Sequence, residues 1–90
     1  MIVYRKHSLT AGRIVEGLAF VVTADDNKLH TLNETGSEVW ALAASGVTVD
    51  EAAEALVKLF QVDLPTARAD VLSCLESFVE RGILVAQEEP

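Results

Sequence analysis

Apolar and polar residues follow a two-residue period along the first third of the chain and a helical period afterwards, and the switch falls between Lys28 and Trp40 (K-L-H-T-L-N-E-T-G-S-E-V-W). The segment starts extended, with Leu29 and Leu32 apolar, and turns helical through a cluster of N-cap formers. Asn33 or Thr35 supplies the cap, and Thr35 with Glu38 has the spacing of a capping box. What precedes this junction predicts strand, and nearly everything after it predicts helix.

Upstream, Ile2 to His7 reads as an edge strand of weak alternation, with Arg5-Lys6-His7 equally readable as a solvated lead-in. Thr10-Ala11-Gly12 predicts a turn. Ile14 to Thr23 gives the strongest strand pattern, with Leu18, Phe20 and Val22 on one face and Ala19 and Val21 on the other. Apolar on both faces, it is expected to be the central strand. The polar cluster Asp25-Asp26-Asn27 turns the chain, and Lys28 to Leu32 returns as the second arm of a hairpin. Three strands of this kind make a small antiparallel sheet.

Downstream, a first helix is expected from about Thr35 to Ala44, with Val39, Trp40, Leu42 and Ala43 inward and Ser45-Gly46 ending it in the left-handed conformation. Thr48 to Glu51 is a second capping box, with Asp50 and Glu51 at the positive end of the helix dipole. Ala53, Leu56, Val57, Leu59 and Phe60 mark the core face of that second helix. Asp63-Leu64-Pro65 starts a third, which runs to about Arg81 and stops at Gly82, before apolar Ile83 to Val85. Its apolar positions Ala67, Val71, Leu72, Cys74, Leu75, Phe78 and Val79 cover an arc of roughly 160°. One packing neighbour needs less, so part of the stripe is expected to line a groove. Gln87 to Pro90 reads as a frayed tail.

Ninety residues, half of them apolar, give one domain with a single core, built mainly of Leu, Val and Ala because only three Phe, one Trp and one Tyr are present. No apolar run is long enough to span a membrane and the N-terminus lacks the order of a secretion signal, which places the protein in the cytoplasm without membrane partners. The net charge of −7 is uneven: residues 1–31 hold four Lys/Arg and three Asp/Glu, residues 32–90 three and eleven. An acidic helical half repels phosphate backbones and speaks against nucleic acid. It tolerates a basic or neutral peptide.

No constellation of catalytic groups stands out. Cys74 sits on an apolar helix face without a histidine or cation one turn away, and such a thiol behaves as a small hydrophobe. His7 and His30 lie on separate strands without metal-ligand spacing, so neither a metal nor another cofactor is expected. Ser37, Ser45, Ser73 and Ser77 lack a nucleophile elbow, the pairs Asp25-Asp26, Asp50-Glu51 and Glu88-Glu89 occupy a turn, a helix start and the tail, and no glycine-rich loop follows a strand. Trp40 is expected as a core anchor. What remains is a surface: a short sheet edge beside an acidic helix can accept an extended peptide as an added strand. An edge merely protected by Lys28 and the acidic turn is the alternative.

The ordered set His30-Thr31-Leu32-Asn33-Glu34-Thr35-Gly36-Ser37-Glu38-Val39-Trp40-Ala41-Leu42, Gly46-Val47-Thr48-Val49-Asp50-Glu51, Val62-Asp63, Ala69-Asp70-Val71-Leu72, Leu75 and Arg81-Gly82-Ile83-Leu84 resembles the PqqD-like family over residues 14–85. These are small proteins or domains named for pyrroloquinoline quinone biosynthesis, also known as precursor-peptide recognition elements. The resemblance implies an α+β, winged-helix-like fold of a small three-stranded antiparallel sheet followed by three helices. It implies a non-catalytic protein that binds the leader of a ribosomally made precursor peptide along its third strand, against the third helix. The domain then presents the peptide to a modifying enzyme, frequently a radical S-adenosylmethionine enzyme. Products other than pyrroloquinoline quinone are equally compatible.

Carried onto this sequence, Lys28, Leu29, His30, Thr31 and Leu32 form the docking strand, with Leu29, His30 and Thr31 nearest the peptide. Asp70, Val71, Cys74, Ser77, Phe78 and Arg81 border the groove. Cys74 stands where relatives tend to carry a larger side chain, so the groove is roomier there or a core neighbour fills it. Asp70 and Arg81 contact charged leader side chains or form a solvated face. Two other readings stay open: a winged-helix DNA-binding regulator, which needs a more basic third helix, and a homodimer joined through the exposed edge. An enzyme acting alone is the class the residues favour least.

Overall fold

A computed structural model describes all 90 residues, Met1–Pro90. Five strands and three helices follow one another as β1 (Ile2–Lys6), β2 (Thr10–Val15), β3 (Leu18–Thr23), β4 (Lys28–Thr31), α1 (Glu34–Leu42), α2 (Val49–Phe60), α3 (Leu64–Glu80) and β5 (Leu84–Glu88). The arrangement is α+β, with the expected three-stranded antiparallel sheet ahead of three helices. Its strands are β2, β3 and β4, in that order.

The sheet's first strand is not the expected one. The apolar run from Ile14 is broken by a two-residue turn at Glu16 and Gly17, with φ of 52° and 84°, which pairs Val15 with Leu18. Two successive positive φ values match the twist of a tight hairpin. Thr10-Ala11-Gly12 accordingly lies within β2, where Gly12 faces Val21. Glycine serves close packing here rather than turning: a Cβ would stand 2.7 Å from Trp40 Cζ2 and 2.9 Å from the Phe20 carbonyl oxygen. Trp40 is buried as a core anchor, with the Lys6 ammonium 3.5 Å from its ring centroid, a cation–π contact. Partial burial of that ammonium lowers the Lys6 pKa.

β1 pairs instead with β5, from Ile2 opposite Glu88 to Lys6 opposite Leu84, in a separate two-stranded sheet. Gln87 and Glu88 are therefore paired strand residues rather than a frayed tail. Arg5 meets Glu89 at 3.1 Å, and the N-terminal ammonium meets Glu88 at 2.7 Å. Tyr4 bridges to Val47 and ties this sheet to the turn before α2.

The caps fix the helices. Asn33, not Thr35, caps α1, its Oδ1 accepting the Gly36 N–H at 2.7 Å. A short 3-10 turn follows α1, and Gly46 ends it with φ 86° but ψ 135°, extended rather than left-handed helical. Thr48 and Glu51 form the capping box of α2 reciprocally, at 3.2 and 2.9 Å. Asp63 caps α3 through the Thr66 N–H and hydroxyl, which hold its carboxyl below the ordinary carboxylate range. Gly82 at φ 76° stops that helix, and the Ile83 N–H returns to the Phe78 carbonyl at 2.8 Å.

The core lies between the inner sheet face (Ala19, Val21, Leu32), α1 (Val39, Trp40), α2 (Ala52, Ala53, Leu56) and α3 (Ala67, Val71, Leu75, Phe78), closed by Ile83 and Leu84. Leu59 and Phe60 do not join it. They sit on the last turn of α2, beyond the buried Ala52–Leu56 face, and line a small notch with Gly17, Glu34 and Glu38.

Candidate functional site

The junction from β4 to α1 is held by one buried hydroxyl. The Leu32 N–H donates to the Ala19 carbonyl at 2.9 Å, the last rung of the β3–β4 ladder. Because the chain then bends into α1, the reciprocal rung is completed by Ser37: its Oγ accepts the Ala19 N–H at 2.7 Å and donates to the Leu32 carbonyl at 3.3 Å. Ser37 thus has a structural task that its lack of a nucleophile elbow left unassigned.

That rung also fixes which backbone groups face outward. Antiparallel pairs alternate between bonded and non-bonded. With Leu32 bonded to Ala19, the register Val21 with His30 and Thr23 with Lys28 points the peptide groups of His30 and Lys28 toward β3. The N–H and C=O of Leu29 and Thr31 point away, along the open edge of the sheet. The His30 side chain turns to the inner face, its Nε2 3.1 Å from Thr23 Oγ1. Thr23 Oγ1 also donates to Asp26, and this bond holds the Asp26 carboxyl below its ordinary range. His30 is thereby anchored within the sheet, and the open edge belongs to Leu29 and Thr31.

Beside this edge lies a cleft of about 530 Å³. One wall is Thr31, Leu32, Asn33, Thr35 and Gly36, and the other is the flank of α3 bearing Asp70, Ser73, Cys74, Ser77, Phe78 and Arg81. A Cβ on Gly36 would stand 3.1 Å from Phe78 Cζ, so glycine lets the first turn of α1 close against the ring. Leu32, Cys74 and Phe78 are its apolar lining, and the rest is polar. Of the wide α3 stripe, Cys74 and Phe78 do line this cleft, while its outlying members Leu72 and Val79 are exposed on the opposite flank of α3, at ~100° per residue from the core line. The rest of the α3 wall is the polar edge of the helix.

Of the residues expected to contact a peptide, the cleft brings together Thr31, Leu32, Asp70, Cys74, Ser77, Phe78 and Arg81. Lys28, Leu29 and His30 run along β4 outside it. Val71 is wholly buried in the core and borders nothing accessible. Asn33, Thr35, Gly36 and Ser73 join the lining unforeseen. Ser73 was findable, three residues after Asp70 and four before Ser77 on one helix flank. The others looked like capping residues, which Asn33 also is.

Burial pushes the Cys74 thiol up to about 11 against the opposing pull of Arg81, so it stays protonated at neutral pH and is a poor nucleophile. No three His, Cys, Asp or Glu side chains cluster as a metal site requires, and no helix is long and apolar enough to cross a membrane. The chain matches the family model described as coenzyme PQQ synthesis protein D (PqqD) over residues 10–84, from the start of β2 to the start of β5. The chain belongs to the PqqD family.

Two solved structures share the PqqD-family fold seen here. TbiB1 in complex with the TbiA(beta) leader peptide is 18% identical, with a TM-score of 0.85 over 94% of this chain and 99% of that one. Lasso peptide synthetase B1 complexed with the leader peptide is 16% identical, with a TM-score of 0.81 over 91% and 96%. A comparison with curated protein sequences finds no match.

Proposed function

We propose that this PqqD-family chain is a non-catalytic recognition element for a ribosomally made precursor peptide. The leader joins the sheet as a further strand on β4, its alternate side chains enter the cleft against α3, and the bound peptide is presented to a modifying enzyme of the radical S-adenosylmethionine class. The observation that carries this reading is the coincidence of the open Leu29 and Thr31 backbone groups with the 530 Å³ cleft beside them. Main-chain bonds supply affinity, and a walled recess supplies side-chain selectivity. The family and the leader-bound state of two proteins of the same fold support it.

Duplex DNA fits this surface poorly. The open flanks of α3 carry Asp70, Glu76 and Glu80, and of its cations Arg68 is paired with Asp50. The test is a titration of labelled protein with synthetic leaders from any short open reading frames encoded beside its gene, followed by amide chemical shifts. Changes at Lys28–Leu32 and on the Asp70–Arg81 flank are expected. Changes confined to other surfaces would contradict strand addition to β4.

A further inference from the structure

The charges in the cleft say which peptide it takes, an inference that rests on the strand-addition reading. Asp70 and Arg81 are the only charged side chains lining it. Both are exposed, and neither joins any of the three ion pairs, Met1–Glu88, Arg5–Glu89 and Arg68–Asp50. They close the two ends of one helix stripe that also holds Ser73, Cys74 and Ser77. They stand eleven positions apart along α3 and its C-cap, about 16 Å. The recess therefore has a negative end, a neutral middle and a positive end, and a concave wall focuses such a field.

A strand lying on β4 turns every second side chain toward α3 and advances about 6.7 Å for each pair of residues. Cleft-facing residues four apart are then about 13 Å apart, and the long Arg81 side chain with a lysine on the peptide closes the remainder. Residues two apart fall short, and odd spacings face away. The cleft-facing residue between the two charges lies over Cys74 and Phe78 beside Gly36, where the lining is apolar and two of its three residues are small.

We propose that the cleft selects a bipolar peptide: an acidic residue beside Arg81 and a basic residue beside Asp70, four apart with an apolar residue midway, accepted in one chain order only. Antiparallel pairing with β4, the more stable ladder, sets the direction of the added strand, and the charges then fix its register and reject the reverse order.

Two capped peptides of identical composition test this, Thr-Val-Lys-Thr-Leu-Thr-Glu-Val-Thr and Thr-Val-Glu-Thr-Leu-Thr-Lys-Val-Thr, each titrated into the whole chain while amide shifts of Leu29, Thr31 and the α3 flank are followed. One order should bind about tenfold more tightly at low salt, the preference shrinking at about 0.5 M salt. The preference should invert in the Asp70→Arg/Arg81→Asp protein and vanish in Asp70→Asn/Arg81→Gln, whose changes are at exposed positions. Equal affinities, with Leu29 and Thr31 still shifting, would overturn the bipolar reading and leave strand addition standing. A preference that survives the charge exchange unchanged would overturn it as well. No shift from either peptide at millimolar concentration would also overturn the bipolar reading, strand addition itself being tested by the leader titration.

Discussion

The three-stranded sheet has two open edges with the same backbone offering and different surroundings. On β2, the Ala24 N–H bonded to the Leu9 carbonyl sets the phase of the ladder, leaving the peptide groups of Gly12 and Ile14 facing outward. On β4 the outward groups are those of Leu29 and Thr31. The β2 edge is exposed from Ala11 to Val15, and its Gly12 is closed on one face by the Trp40 ring. The β4 edge has a cleft and a helix wall beside it. Unpaired backbone alone makes an edge adhesive, and the wall makes it selective.

The contrast is broken most severely by removing the wall's support. Phe78→Ala deletes a buried ring that serves both the core and the cleft floor, and should cost about 3–5 kcal/mol of stability in denaturant unfolding. Gly12→Ala attacks the other edge. Its Cβ meets a buried indole and a backbone oxygen, neither free to move, so a loss of about 1–3 kcal/mol is expected, with leader binding retained.

Matched prolines compare the edges directly. Thr31→Pro removes an N–H that makes no bond to β3, so the fold should persist while leader affinity, measured by calorimetry, falls about tenfold. Ile14→Pro removes the equivalent N–H on β2 and should leave that affinity unchanged.

The smallest expected effect lies in the loop that starts β4. The Asp26 carboxyl has a lowered folded pKa, chiefly through the Thr23 hydroxyl. Its stabilisation is therefore complete above the ordinary carboxylate value of about 4 and is lost as pH falls through the lower folded value. A small melting-temperature gap between the native chain and Asp26→Asn at neutral pH should close in strong acid.

The helical half of the fold was legible because its signals are local. Asp63 with Pro65, Thr48 with Glu51, and Gly82 each declare a helix end within a few residues. The strands were harder. Glu16-Gly17 hides a hairpin turn inside an apolar run, since glutamate is no turn former and the flanking residues alternate correctly through it. β5 escaped because its partner, β1, lies at the far end of the chain, and no local pattern records a pairing that distant. In the site, the spacing of Asp70, Cys74, Ser77 and Arg81 on one helix flank was readable. The opposite wall was not: Asn33, Thr35 and Gly36 take part through the bend that Ser37 holds, a contact between α1 and β3 rather than a sequence motif.

Amide hydrogen exchange with and without the leader peptide tests the central claim most directly. Protection should rise at Leu29 and Thr31 and stay constant at Gly12 and Ile14. Protection gained at Gly12 and Ile14, with Leu29 and Thr31 unchanged, would contradict the assignment of β4 as the docking edge.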